Sequence, residues 1–363
     1  MQNKNIYEGR IDVVDYARFT AAMAVVAFHY FFYFGHTFYS AGLTPIAGLA
    51  SVTRYGYLGV EFFFIISGYV IFFSAKSRTA AQFASARAVR LYPAFLFSLL
   101  VTSGAISIFG DGRDSIYLSQ FLTNFTMMPR VFGRAPIDGS YWTLALELCF
   151  YSIVLVALIA QVPDKLEGFF RIWPVVIVLS SIIGGNQWPI VGGYYSYFAA
   201  GALFAMQRTK YSVWTSASLL LCFYASLNFT AVFMQAPDTD TLVLMISVTV
   251  FYLFFCALHF GAVRNYELPA AKLLGAITYP LYLVHQTIGY LVIRHFATAQ
   301  NQLIVTLATI TGMIAFAYLI HVCVERRFAM FWKTWSGHLV GTPVRTLENL
   351  IGKLPQFGVK SIK

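Results

Sequence analysis

The chain has 363 residues, of which 58% are hydrophobic and only 11% are charged, and its mean hydropathy is +0.67. Soluble domains carry about 25% charged residues, so this composition excludes a soluble globular protein and indicates a polytopic membrane protein. The net charge of +10 does not indicate a nucleic-acid partner, because no soluble basic face is available to bind one; cytosolic loops account for it.

Apolar runs long enough to cross a bilayer follow one another along most of the chain. A transmembrane helix needs roughly 17 to 25 such residues, and ten runs approach that length. They lie at about residues 13–35, 55–75, 88–110, 141–161, 168–184, 191–207, 212–232, 240–260, 272–296 and 302–323. The sequence therefore predicts an all-α polytopic membrane protein, a bundle of about ten transmembrane helices.

Lys and Arg are distributed unevenly between the predicted connections. If the N-terminus lies in the cytosol, twenty of the 25 basic residues fall on the cytosolic side, as the positive-inside rule requires. The five on the opposite side are Arg54, Arg113, Arg130, Arg134 and Arg294. We therefore expect both termini in the cytosol, a transmembrane domain over residues 1–330, and a basic, partly amphipathic cytosolic tail over residues 331–363.

The first apolar run, "DYARFTAAMAVVAFHYFFYF", contains a permanent cation and an imidazole. Arg18 and His29 are eleven residues apart, which at 100° per residue is three turns plus roughly 20°, with a rise of ~16 Å. Both side chains therefore share one face of the predicted helix, with His29 about halfway across the membrane. Ionisable groups at that depth face the bundle interior or a wet cavity and commonly mark function. The alternative is a snorkelling arginine and a structural histidine.

Three later runs also carry ionisable side chains. Glu61 lies in "GYLGVEFFFIISGY", Glu147 in "GSYWTLALELCFY", and His285 in "ITYPLYLVHQ". Each needs a partner inside a membrane, so each predicts either a hydrogen bond between helices or part of a buried site.

Two arginines and a pair of small residues complete the set. Arg87 and Arg90 in "RAVRLYP" are three residues apart, hence on one helical face at the cytosolic start of the third run. They are either positive-inside anchors or an anion site. Ser67–Gly68 in the second run would let another backbone or a ligand approach closely.

Taken in order, these motifs resemble the signatures of the acyltransferase 3 family, which are membrane O-acyltransferases of bacterial polysaccharides and related glycans. The segments that carry the resemblance are "DYARFTAAMAVVAFH", "GVEFFFIISGY", "RAVRLYP", "SYWTLALE" and "TYPLYLVH", and it extends from about residue 11 to residue 330. Glu61 stands where the family more often has Asp. The resemblance implies the stand-alone type, without an attached hydrolase-like domain, in the bacterial inner membrane.

The resemblance also implies a reaction, in which acetyl-CoA in the cytosol supplies an acetyl group to a hydroxyl of an extracytoplasmic glycan. Coenzyme A carries a 3′-phosphate and a pyrophosphate, and the fork of an arginine side chain binds phosphate well. Arg18, Arg87 and Arg90 are the expected ligands of those phosphates, and the acceptor would approach from the other side, below the connection at about residues 111–140.

His29 is the expected reactive group, either as a general base on the glycan hydroxyl or as a nucleophile that holds the acetyl group transiently. Glu147 or Glu61 would orient its imidazole. Ser67, Tyr141 or Trp142 would donate to the thioester oxyanion, and His285 would support the substrate or the helix packing.

A proton-coupled transporter that relays protons through His29 and Glu147 is the alternative. Transporters commonly contain internal repeats with matching broken helices, and none is visible here, so the acyltransferase is favoured. No metal-ligand spacing occurs, and we expect no metal. The acceptor, the acyl length and the oligomeric state are not encoded in any recognisable pattern.

Overall fold

The computed structural model describes residues 10–34, 43, 46–110, 116–160, 163–234 and 239–352, and over these ranges all regular structure is helical. The helices are α1 Asp12–Ala27, α2 Ala47–Thr53, α3 Gly59–Lys76, α4 Ala80–Phe109, α5 Leu118–Asn124, α6 Trp142–Ile159, α7 Pro163–Ile182, α8 Tyr194–Thr209, α9 Val213–Phe233, α10 Thr241–Ala257, α11 Gly261–Arg264, α12 Ala271–Phe296, α13 Gln302–Ile320, α14 Ala329–Ser336 and α15 Thr342–Gly352. The predicted all-α fold is confirmed.

Each of the ten predicted apolar runs coincides with one of these helices. Within the described ranges, five helical segments are long and apolar enough to cross a membrane: Gly48–Lys76, Ala80–Phe109, Gly139–Ile159, Val213–Phe233 and Gln302–Arg326. Helix α1, whose π-helical continuation carries His29, and helix α12, which carries His285, are not among the five. The number of ten spans, the cytosolic position of both termini and the domain boundary at residue 330 remain predictions.

Helices α3 and α8 cross in direct backbone contact. A Cβ atom added to Gly68 would collide with the carbonyl oxygen of Phe198, and one added to Gly201 would collide with that of Ile65. Small residues allow such an approach, which in lipid replaces the hydrophobic driving force with close van der Waals packing. The crossing fixes the neighbouring Ser67 beside the centre of the bundle.

Helix α1 lies beside α12 and ends in a π-helical segment, Phe28–Tyr33, rather than continuing as the single α-helix that the sequence predicts. The His29 ring nitrogen Nδ1 lies 3.0 Å from the carbonyl oxygen of Val25. That carbonyl would accept the backbone N–H of residue 29 in a regular α-helix. The His29 side chain therefore competes with the backbone N–H for the Val25 carbonyl, at the point where the α-helix becomes a π-helix. Short π-helical segments are frequent at functional sites.

The predicted tail is helical where the structure describes it. The Trp335 ring lies 5.5 Å from the Tyr92 ring, and Ser85 Oγ donates to the Ser336 carbonyl at 3.5 Å. These contacts hold α14 against the first turns of α4, the segment that carries the "RAVR" motif.

We predict that Gly201→Ala lowers the midpoint of thermal unfolding in detergent by several degrees, because overpacking a close contact costs about 1–3 kcal/mol. Gly104→Ala on α4 is the matched control, since a Cβ there meets nothing within 4 Å. Equal midpoints for the two variants would contradict the close packing of α3 on α8.

Candidate active site

A cavity of about 280 Å³ lies between α1, α3, α4, α6 and α12. We call it the inner cavity. Five of the predicted site residues line it: Arg18, Ser67, Arg87, Arg90 and Glu147. The remaining wall is largely apolar and aromatic, with polar hydroxyls from Thr143, Thr278 and Tyr282 among others. The structure therefore brings together predicted site residues that lie far apart in sequence, from Arg18 to Glu147.

A second cavity, of about 720 Å³, adjoins the first and shares Arg18, Val70 and Arg87 with it. We call it the basic vestibule. Five arginines line it: Arg10, Arg18, Arg78, Arg87 and Arg208. Three of these, Arg10, Arg78 and Arg208, were not predicted as site residues, because in the sequence they fall among ordinary cytosolic basic residues. The two cavities are therefore neighbours, and the larger of them, the vestibule, has the greater number of lining arginines.

Two arginines of the inner cavity have side-chain donors that no described residue satisfies. Arg87 Nε and Arg90 Nη2 are buried, and neither has a hydrogen-bond partner among the described residues. The Arg90 guanidinium lies 5.4 Å from the centre of the Tyr279 ring, and Arg87 lies 5.8 Å from the Tyr151 ring. Aromatic faces hold the two cations in place on the wall of the inner cavity. An anion that entered would meet donors whose desolvation cost has already been met.

Asp15 anchors the arginines at the start of α1. Its Oδ2 accepts from Arg10 Nε at 2.9 Å, and its Oδ1 lies 3.9 Å from Arg18 Nη1. This carboxylate limits how far either side chain moves, and the other arginines of the vestibule outnumber it. The site is therefore strongly cationic overall.

Glu147 lies on the wall of the inner cavity and accepts hydrogen bonds from Ser67 Oγ, at 3.2 Å, and from Tyr151. The sequence suggested that Glu147 or Glu61 would orient His29. In the structure neither carboxylate hydrogen-bonds to that imidazole over the described ranges, because Glu147 is engaged across α3 and α6. Glu61 is buried with both carboxyl oxygens unpaired among those residues.

The imidazole that contacts His29 is that of His285. The His29 Nδ1 and His285 Nε2 atoms are 3.1 Å apart, joining α1 to α12. His285 Nδ1 lies 2.7 Å from the carbonyl oxygen of Tyr282, which can only accept, so Nδ1 carries the proton and a neutral His285 presents a lone pair at Nε2. His29 Nδ1 then faces two acceptors, the Val25 carbonyl and His285 Nε2, and must itself carry a proton.

This hydrogen-bond pattern assigns the tautomer of His29. With the proton on Nδ1, the lone pair of a neutral His29 lies on Nε2, the nitrogen that a general base or a nucleophile needs. The ring is half-buried among Phe28, Tyr33 and Phe34, with ring centres 5.2 to 6.0 Å away. Tyr33 is 46% exposed, so this aromatic cluster reaches the surface at the far end of α1 from Arg18.

Neither His29 nor His285 lines the inner cavity or the basic vestibule, and Tyr282 links the histidine pair to the inner cavity. Its side chain lines that cavity, its ring lies 5.6 Å from the His285 ring, and its carbonyl holds His285 Nδ1. Its hydroxyl bonds with the Thr143 hydroxyl at 3.0 Å. One residue therefore contacts both halves of the candidate site.

The last two predicted residues stand apart from the cavities. The buried Tyr141 ring packs against Phe95, at 5.2 Å, and the Trp142 ring packs against Tyr194, at 5.3 Å. Neither lines the inner cavity or the basic vestibule. Of the three oxyanion donors suggested by the sequence, Ser67 is the one that faces the cavity.

The sequence was compared with family models and with known proteins. The model of the acyltransferase 3 family, described as an acyltransferase domain, matches residues 11–322. A protein named O-acetyl transferase from Shigella phage Sf6 is 30% identical over 181 residues, which cover 46% of this chain and 51% of that protein. Nodulation protein 10 of Rhizobium leguminosarum bv. viciae is 30% identical over 113 residues, covering 26% of this chain and 30% of that protein.

These two matches span about half and less than a third of the relatives' own lengths. No solved structure matches the chain. The family match, in contrast, covers most of the sequence, including every helix that contributes to the two cavities and to the histidine pair. The chain is a multi-pass membrane protein and belongs to the acyltransferase 3 family.

Proposed function

We propose that this protein is an O-acetyltransferase of the bacterial inner membrane that moves an acetyl group from cytosolic acetyl-CoA to a hydroxyl of an extracytoplasmic glycan. The observation that carries the proposal is the pair of adjoining cavities, of which the larger is lined by five arginines. Tyr282 lines the smaller one, and its carbonyl bonds to His285 of the His29–His285 pair. The name of the phage relative supports acetyl as the donor group.

The shape of coenzyme A matches this distribution of charge. Its nucleotide end carries the 3′-phosphate and the pyrophosphate, and a vestibule with five arginines suits such a polyanion. Arg87 and Arg90 add unpaired buried donors further inside. The pantetheine arm is thin and weakly polar, and it suits the apolar wall of the inner cavity. The acetyl group would then reach the reactive centre from the side that the positive-inside rule assigns to the cytosol.

His29 Nε2 is the proposed general base. It takes the proton of the acceptor hydroxyl while the hydroxyl oxygen attacks the thioester carbonyl, and the imidazolium then protonates the departing CoA thiolate. The net reaction forms an acetyl ester and free CoA. A dry, largely apolar setting strengthens each electrostatic contact in the transition state. Ser67 is held by the glycine crossing and donates its one O–H to Glu147 in the empty protein. We propose that this O–H turns away from Glu147 to donate to the oxyanion.

We predict that His29→Ala lowers kcat by roughly 10²–10⁴-fold, the usual contribution of a general base. The measurement is release of free CoA from acetyl-CoA by the purified protein, with envelope glycan from the bacterium that carries the gene as acceptor. His259→Ala is the matched control, because His259 Nδ1 makes the same bond to the carbonyl four residues earlier, at 3.3 Å, outside the site.

Acetylation at the wild-type rate by a folded His29→Ala protein would refute the catalytic role. Rapid acid quench with acetyl-labelled donor distinguishes the two possible chemistries: label retained on the wild-type chain before acceptor is added indicates an acetyl-imidazole, and no retained label supports direct transfer.

We predict that Arg87→Ala and Arg90→Ala each weaken CoA binding by about tenfold or more, because each removes a charge-assisted bond to phosphate. Titration calorimetry with CoA measures the change. The control is Arg171→Ala, whose guanidinium pairs with Glu167 at 3.4 Å and lines neither cavity.

The same variants should have no effect on the KM for S-acetylpantetheine, which lacks the nucleotide. The role of Arg87 and Arg90 as phosphate ligands is wrong if both variants bind CoA as tightly as the wild type. It is also wrong if the KM for S-acetylpantetheine rises as much as the Kd for CoA. In either case the two arginines serve as topology anchors.

A further inference from the structure

Asp138 is a buried carboxylate in the connection between α5 and α6, and the proposed reaction does not use it. Its side chain is 0% exposed. Oδ1 accepts from the Ser140 backbone N–H at 2.8 Å and from Ser140 Oγ at 2.6 Å, and Oδ2 accepts from the Thr287 N–H at 2.9 Å. All three partners donate, so the group requires no proton of its own and is an ionised acceptor.

A buried negative charge is costly unless an opposite charge lies nearby. Over the described part of the chain, no Lys, Arg or His forms a salt bridge with Asp138. Its Oδ2 accepts from Thr287 N–H, two residues after His285 on α12, so a positive charge on the His285 imidazole would be stabilised by this carboxylate. The His285 imidazole, which is neutral at rest, is therefore the group that could gain a positive charge to balance Asp138.

His285 is arranged to receive a proton at one atom. Its Nδ1–H donates to the Tyr282 carbonyl, and its Nε2 lone pair faces the Nδ1–H of His29 at 3.1 Å. If that proton moves across, His285 holds two N–H groups, each with an acceptor. Its positive charge then lies on the turn of α12 that Asp138 binds through Thr287 N–H. His29 then has no net charge, with its single proton on Nε2.

We propose that His285 and Asp138 are positioning residues that take the positive charge away from His29 during acetyl transfer. This rests on the proposed function. As the acceptor hydroxyl gives its proton to His29 Nε2, the proton on His29 Nδ1 moves to His285 Nε2. When the C–S bond breaks, Nε2–H protonates the CoA sulfur and the proton on His285 returns to His29 Nδ1. The ring nitrogens regain their starting protons, and one acetyl ester and one thiol are formed.

The first test distinguishes two roles of His285 Nε2: accepting a hydrogen bond from His29, and taking up its proton. In His285→Gln the amide oxygen occupies about the position of Nε2 and accepts from His29, but it cannot become a cation. We expect kcat to fall about 10²-fold, with the KM for acetyl-CoA and the KM for glycan each within threefold of the wild type. A kcat within threefold of the wild type would reduce His285 to a structural partner.

The second test concerns the charge of Asp138. Asp138→Asn removes the charge, whereas Ser140→Ala removes one hydrogen bond to the same carboxylate and leaves the charge in place. We expect kcat to fall by at least tenfold in Asp138→Asn, with unchanged KM values, and by less than threefold in Ser140→Ala. Equal losses in the two variants, or losses that follow a raised KM, would show that Asp138 acts only as a clamp on the loop.

A third measurement needs no variant and remains informative if the Asp138 variant does not fold. In single-turnover reactions of the wild-type protein in mixtures of H₂O and D₂O, two protons moving in one step give a curved dependence of rate on the deuterium fraction. A linear dependence, or no isotope effect, overturns the relay while leaving acetyl transfer by His29 intact. Failure of the proposed function itself would be seen differently, as a folded wild-type protein that releases no free CoA from acetyl-CoA in the presence of the glycan.

Discussion

The hydrogen bond between His29 and His285 is the contact on which the site depends. It joins the end of α1 to α12. The backbone supports both rings, through the carbonyl of Val25 on one side and that of Tyr282 on the other. Tyr30 reinforces the junction by donating to the His285 carbonyl at 2.7 Å. Polar groups inside a bilayer must find partners within the protein, so this pairing both holds α1 against α12 and fixes which nitrogen of His29 is free to react.

The buried arginines differ from the histidines in that their hydrogen-bonding groups are not all paired. Where the histidines satisfy one another, Arg87 and Arg90 retain donors with no partner among the described residues and rely on aromatic faces for support. Such an arrangement sacrifices stability in the empty protein in return for affinity when an anion arrives. The molecule thus combines a histidine pair whose hydrogen bonds are complete at rest with arginines that, under the proposed function, bind an anionic ligand.

The sequence predicted the helices well, because apolar runs of membrane length leave few alternatives to a helix. It also grouped Arg18, Arg87 and Arg90 correctly in space. It did not predict the partner of His29, since Glu147 and His285 are equally plausible until the packing of α1, α6 and α12 is known. Asp138 and Arg208 were missed for the same reason: a loop aspartate and a basic residue after a helix have no distinguishing local pattern, and only tertiary contacts reveal them.

The separation of the two histidines along the chain has a consequence for biogenesis. His29 and His285 are 256 residues apart. At a synthesis rate of about 5 to 20 residues per second, α1 waits roughly 13 to 50 s in the membrane before α12 emerges. During that interval the imidazole has no final partner, and the free space beside α1 must be occupied by lipid, water or the insertion machinery. A chain released early would therefore carry a polar, unpaired first helix, which is a ready signal for membrane quality control.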